Sequence, residues 1–183
     1  MKETFQNLVA YLKNPVLKED TNKNVTYRFK IFFQILIICF VTGIIISPIF
    51  VLFEEIKWIN MDTHVMKDLS KSMSKLQLAF FVVILAPVFE ELLFRGSLTL
   101  FKKPKSFKIA FYIFTLIFGL IHISNFEITT NVLLLSPILV LPQILLGGYL
   151  GFIRVKFGLQ WSMLLHATYN GILLYLSFIP DLK

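Results

Sequence analysis

Residues 31–53 read IFFQILIICFVTGIIISPIFVLF, and no charged side chain interrupts them. A helix rises 1.5 Å per residue, so about 20 apolar residues cross the roughly 30 Å hydrocarbon layer of a bilayer. This run is long enough to span. It starts too late and runs too long for a cleavable signal peptide, and no small-residue cleavage site follows it, so it is expected to stay in the mature protein. Working outward, residues 76–100, 107–124, 132–152 and 161–179 qualify as spans or nearly so. The expected fold is all-α: a polytopic membrane helix bundle of about five transmembrane helices.

Composition agrees with that reading. The chain has 183 residues, is 56% hydrophobic with 20 Phe, and has a mean hydropathy of +0.74. Only 16% is charged, against about 25% in a soluble globular chain. Such hydrophobicity excludes disorder. The formal charge of +7 does not indicate nucleic acid, because the basic residues sit between apolar runs, where they orient spans beside anionic headgroups. The single cysteine, Cys39, can form no intrachain disulfide and reads as a small packing residue.

Residues 1–30 form a separate amphipathic segment, and 31–183 the membrane domain. Phe5, Leu8, Val9 and Leu12 fall at helical spacing before Pro15, the pattern of a short helix in the headgroup plane. Six basic residues precede the first run, four follow the second and two follow the fourth. The segments facing the other side hold four, none and one, the last being Lys183. This 12 to 5 imbalance, with Arg95 set aside, puts the N-terminus in the cytoplasm and the C-terminus outside.

A charge at mid-bilayer costs roughly 2.5 to 3.5 kcal/mol on the insertion scale, so ionisable residues inside spans are informative. The second run holds Phe89-Glu90-Glu91-Leu92-Leu93-Phe94-Arg95-Gly96, the third ends Phe118-Gly119-Leu120-Ile121-His122, and the fifth contains His166-Ala167-Thr168-Tyr169-Asn170. Glu91 and Arg95 are four apart and can neutralise each other, while Glu90 lies about 100° round the helix. His166 and Asn170 share a face, so the amide is placed to orient the imidazole or donate beside it. Phe118 lies one turn before His122.

A carboxylate among apolar helices suits a general base that takes a proton from water and returns it to a leaving amine. Two imidazoles can hold Zn²⁺ with a carboxylate, or donate to an oxyanion with Asn170. Either is a peptidase site, although an ion path or a packing network would use the same residues. Ser162, one turn before His166, offers a Ser and His dyad. No Asp lies in a span, and no H-E-x-x-H sequence occurs. His64 and Glu127 read as solvated loop residues. Gly147 and Gly151 mark a close helix contact, and Pro87, Pro137 and Pro142 are expected to kink their spans.

At these residues the sequence resembles the CPBP family of intramembrane proteases, the CAAX-protease and bacteriocin-processing group also called Abi. Glu90-Glu91-x-x-x-Arg95, Phe118-x-x-x-His122 and His166-x-x-x-Asn170 look like its three motifs, in order, over residues 76–174. The resemblance implies an endopeptidase acting on a membrane-associated peptide or protein. Glu90 would activate water, His122, His166 and Asn170 would bind a metal or the oxyanion, and Glu91, Arg95 and Phe118 would support them. A zinc ion held by Glu90, His122 and His166 is the expected cofactor, and peptide maturation or bacteriocin immunity the expected setting. The rivals are a non-catalytic immunity or scaffold protein and a small transporter.

One expectation conflicts with a shared site. On straight helices Glu90 falls about 2 Å and His166 about 6 Å to the cytoplasmic side of the midplane, whereas His122 falls about 8 Å to the outer side. The third span is therefore expected to be tilted or displaced inward, with residues 102–108 along the membrane surface.

Overall fold

The computed structural model describes residues 1–179, so Lys183, counted among the outer charges, lies outside the described residues. Helix is the regular structure throughout them: α1 (Lys2–Lys13), α2 (Val25–Glu55), α3 (Val65–Ser72), α4 (Lys75–Leu100), α5 (Pro104–Ile121), α6 (Thr130–Leu139), α7 (Leu141–Phe157) and α8 (Leu159–Phe178). The fold is an all-helical bundle.

Helix α2 shows what a membrane solvent does to a helix surface. Its start is capped by the Asn24 side chain, which accepts from the Tyr27 N–H at 3.0 Å, satisfying one of the donors a helix start leaves unpaired. Phe32 and Ile35 are buried against the bundle, while Ile44 and Ile45 are each 70% exposed. Bare apolar side chains at mid-helix face lipid in a spanning protein.

Four helical segments are long and apolar enough to cross: Val25–Glu55, Lys75–Leu100, Pro104–Asn125 and Thr130–Phe157. The expected fifth, residues 161–179, forms helix α8 of 20 residues, but it is not among the segments apolar enough to cross. Its polar residues His166 and Asn170 line the central cavity. The fourth run is a broken helix: α6 stops at Val140 and α7 restarts with Pro142 in its first turn. Pro137 stays inside α6, so the interruption falls at Pro142, which lacks the N–H needed to continue the ladder.

The centre of the bundle is α7, buried along most of its length from Leu146 to Phe157. Helix–helix attraction in lipid depends on close packing, and the small Gly147-x-x-x-Gly151 face supplies it. A Cβ on Gly151 would lie 2.6 Å from the Phe111 ring of α5, and one on Gly147 would lie 3.0 Å from the Phe118 ring.

The apolar face of the N-terminal helix packs on protein. Phe5 is exposed, but Leu8 is fully buried, and the Tyr11 ring stands edge-on to Phe111 and Phe152 at 5.4 and 5.3 Å. The face expected to meet lipid is docked on α5 and α7. Lys105 and Lys108 lie in the first turns of α5, and Lys108 reaches Asn14 at 3.0 Å.

Candidate active site

Helix α4 carries the glutamates and is irregular on both sides of them. A regular stretch, Ala86–Glu91, lies between π-helical turns at Phe80–Leu85 and Leu92–Gly96. Pro87 accounts for the first. The Ala86 N–H reaches back to the Phe81 carbonyl, one residue beyond the α register, and the next donor in that wider register, Pro87, has no N–H. The Val82 carbonyl therefore loses its helical partner, and the Asn170 amide donates to it at 3.1 Å. Widened turns of this kind concentrate at functional sites.

Glu91 is the hub of a buried network and is 0% exposed. Its Oε1 accepts from Arg95 Nη1 at 2.9 Å and from His166 Nδ1 at 3.0 Å. Its other oxygen, Oε2, accepts from the Ser162 hydroxyl, which also lies 3.0 Å from the Leu150 carbonyl. Arg95 donates in turn from Nη2 to the Gly147 carbonyl at 3.1 Å, and its guanidinium lies 4.0 Å above the Phe118 ring. The Arg95 carbonyl, at the second π turn, takes a hydrogen bond from Arg154 Nε at 3.0 Å. The expected Glu91 and Arg95 pair is formed and every oxygen of that carboxylate is satisfied, as a buried charge requires.

Glu90 behaves differently. It points into a cavity of about 710 Å³ that His122, His166 and Asn170 also line. Its Oε2 is buried without a hydrogen-bond partner and lies 3.9 Å from His166 Nε2. His122 Nδ1 stands 2.7 Å from the Phe118 carbonyl. The Phe118 ring separates the two imidazoles, with centroids 5.0 Å from His122 and 5.8 Å from His166. The depth conflict is thus resolved: His122 closes α5 at the start of a 3₁₀ turn and reaches the same cavity as Glu90.

Each imidazole has Nδ1 committed, to Glu91 or to the Phe118 carbonyl. A neutral ring then offers Nε2 as a lone pair, and a doubly protonated ring offers it as a donor. Donors of the kind zinc takes are present, but among the described residues no three His, Cys, Asp or Glu side chains are grouped so as to hold a metal ion. The residues do not fit a three-ligand zinc centre in this arrangement.

Several roles differ from those expected. Asn170 braces α4 instead of orienting His166, a task that falls to Glu91. Ser162 binds Glu91, so no Ser and His dyad forms. Gln143, on the first turn of α7, lines the cavity with its side-chain oxygen buried and unpartnered. Only the prolines flanking that turn would have drawn attention to it in the sequence. His64 also lines this cavity, on the side away from the glutamates. Glu127 lies in a separate hollow of about 390 Å³ that holds none of the motif residues.

The polar cluster lies among apolar helices, and it is the match to a family of CAAX-type proteases that makes the chain a membrane-embedded hydrolase. Residues 72–172 match the type II CAAX prenyl endopeptidase Rce1-like family, and the chain belongs to that family. No curated protein and no solved structure matches the chain.

Proposed function

We propose that the protein is an intramembrane endopeptidase in which Glu90 is the general base. The observation that carries this reading is that Glu90 lines the cavity with its side chain 26% exposed and no hydrogen-bond partner among the described residues for its buried Oε2, which lies 3.9 Å from His166 Nε2. Glu90 takes a proton from a water molecule as its oxygen adds to the peptide carbonyl carbon. The oxyanion is met by the second N–H of the Asn170 amide, with His122 and His166 lining the same cavity. Glu90 then returns its proton to the departing amine nitrogen as the C–N bond breaks.

Glu91, Arg95, Ser162 and Phe118 act one layer back, fixing the His166 ring and closing the floor. Comparing membrane peptides from cells with wild-type and Glu90→Ala protein tests the activity and identifies the substrate, and with it peptide maturation or immunity. Wild-type biological activity in a stably expressed Glu90→Ala variant would establish a non-catalytic scaffold instead.

A second reading, zinc held by Glu90, His122 and His166, requires these side chains to close up from the arrangement seen here. Its support is the commitment of both Nδ1 atoms, which leaves Nε2 of each neutral ring as the ligating atom, an orientation usual for metal-bound imidazoles. Full activity in verified metal-free protein is the expected result of the first reading. About one bound zinc per chain, with activity lost to a strong chelator and restored by metal, is that of the second.

The same proposal includes orientation. The 12 to 5 excess of Lys and Arg on the connections at the α1 end of the bundle places that end in the cytoplasm, with the bilayer as the surrounding medium and no role for nucleic acid.

A further inference from the structure

We infer that the hollow at the C-terminal end of α2 binds the zwitterionic headgroup of an amine-bearing phospholipid, its ammonium held by Glu54 and Glu127 and its phosphate by Lys57. The inference depends neither on the peptidase reading nor on which leaflet the hollow faces.

The sequence sets the depth of this hollow in the bilayer. Residues 31–53 carry no charge and Glu54 is the first charged residue after them, so the end of α2 stands where hydrocarbon gives way to headgroups. Trp58, just past that end, is half exposed, at the level where indole rings settle in membranes. The hollow, of about 390 Å³, is lined by Glu54, Lys57, Trp58 and Glu127 above the buried Phe126 and Val132.

The backbone here is a helix terminator ordinarily built on glycine. The Trp58 N–H donates to the Phe53 carbonyl at 2.9 Å and the Lys57 N–H to the Glu54 carbonyl at 3.0 Å, the paired bonds of a Schellman turn. The Trp58 ring stacks on Phe53 with centroids 6.0 Å apart, the apolar contact that accompanies such turns. Lys57 occupies the left-handed position, with φ 59°, and among the described residues it is the one non-glycine residue with positive φ. Glycine takes that conformation without a Cβ penalty. Lysine gives up stability at the turn and places an ammonium on the hollow, and backbone strain of this kind is kept where the side chain has a use.

The charges on the hollow are not spent on one another. Asn60 and Thr129, which also line it, use their side-chain oxygens to accept from the Asp62 and Val132 N–H groups at 2.9 and 3.2 Å, so they serve the scaffold. Among the described residues, Glu54, Lys57 and Glu127 enter no ion pair, whereas Lys67 and Lys71 of the neighbouring connection are each paired with an aspartate. Two carboxylates and one ammonium left open on one hollow complement a primary ammonium, which has N–H donors for both carboxylates, with an anion beside it for the lysine. Phosphoethanolamine carries those two groups two carbons apart. A choline headgroup has no N–H to donate, and a glycerol headgroup has no cation. Leu52, Ile56 and Ile128, next in sequence to the charged residues, are exposed and give acyl chains an apolar flank that free phosphoethanolamine would leave bare.

Thermal unfolding of the full chain in dodecylmaltoside micelles tests this as single lipids are added. Dioleoyl phosphatidylethanolamine should raise the melting temperature by several degrees and stay bound in native mass spectrometry, while phosphatidylcholine and phosphatidylglycerol with the same chains should do neither. Lys57→Gly relieves the left-handed strain, so it should melt above wild type without lipid yet lose most of the phosphatidylethanolamine shift. The double variant Glu54→Gln, Glu127→Gln should melt near wild type without lipid and also lose that shift. A response to phosphatidylcholine or phosphatidylglycerol as large as that to phosphatidylethanolamine would overturn the zwitterion. Absence of a phosphatidylethanolamine response, or one that survives in both variants, would overturn the site. Protection by soluble phosphoethanolamine with none from the lipid would overturn the lipid as its source.

Discussion

Two adjacent glutamates make separable predictions. Glu90 borders the cavity and supports no other side chain by hydrogen bonds, so Glu90→Gln should remove about 10²- to 10⁴-fold of the cleavage rate while leaving the detergent melting temperature near wild type. Glu91→Gln strands the buried Arg95 charge and weakens the holds on His166 and Ser162. It should lower stability by about 3 to 5 kcal/mol as well as activity, read by melting and protein level. Ser162→Ala removes one donor to a carboxylate and should cost about 1.5 to 3 kcal/mol. Equal melting temperatures for Glu90→Gln and Glu91→Gln would refute this division. The i, i+4 spacing made the Glu91 and Arg95 pair legible in the sequence. The Ser162 bond to Glu91 was not, because it joins residues 71 positions apart and local periodicity carries no information at that range.

Hydropathy and helical period located the long helices, but the features that shape the site fall within them. The first π turn of α4 follows from where Pro87 sits relative to carbonyls four and five residues back, and it also depends on Asn170 arriving to bind the Val82 carbonyl. Close packing is equally invisible to hydropathy. A Cβ on Gly119 would lie 2.2 Å from Ile144 Cγ1 and 3.1 Å from its backbone nitrogen. Gly119→Ala should therefore cost about 1 to 3 kcal/mol, and adding Ile144→Ala should restore part of it, as thermal unfolding of the single and double variants would show. Helix α3 supplies a pH-dependent case. His64 Nδ1 accepts from the Met66 N–H at 3.2 Å and caps that helix, with the ring edge-on to Phe126. Burial first and then the Lys67 charge hold its pKa below the ordinary histidine value. The folded state thus prefers the neutral ring, so the cap is intact above the ordinary value and lost as pH falls through the depressed one. Loss of a cap costs about 0.5 to 2 kcal/mol. Hydrogen exchange in residues 65–69 should rise in mild acid, and His64→Asn, which caps without titrating in this range, should remove the rise.

At the scale of the whole molecule, the sequence separated residues 1–30 from the membrane domain, yet the structure joins the two. Docking of α1 could not be read from amphipathicity, since an apolar stripe fits a lipid surface or a protein surface equally well. The join is fastened by Asp20. Its backbone N–H donates to the Lys156 carbonyl at 3.1 Å, and its carboxylate takes Lys156 Nζ at 3.2 Å, the Tyr27 hydroxyl at 3.0 Å and the Asn22 N–H at 2.9 Å. Burial alone would raise the Asp20 pKa, but the Asn22 N–H, Tyr27 and Lys156 outweigh it and hold the value below the usual carboxylate range. A depressed carboxylate pKa gives stability that is present above the unfolded value and lost as pH falls through the folded one. The segment 15–24 should therefore stay protected from hydrogen exchange at neutral and mildly acidic pH and loosen below the ordinary carboxylate range. Asp20→Asn should abolish that transition, and Lys156→Ala should leave the segment exchanging faster even at neutral pH. Exchange that is independent of pH in the wild type, or unchanged in Lys156→Ala, would mean that packing of Leu8, Tyr11 and Leu12 alone holds the N-terminal segment to the bundle.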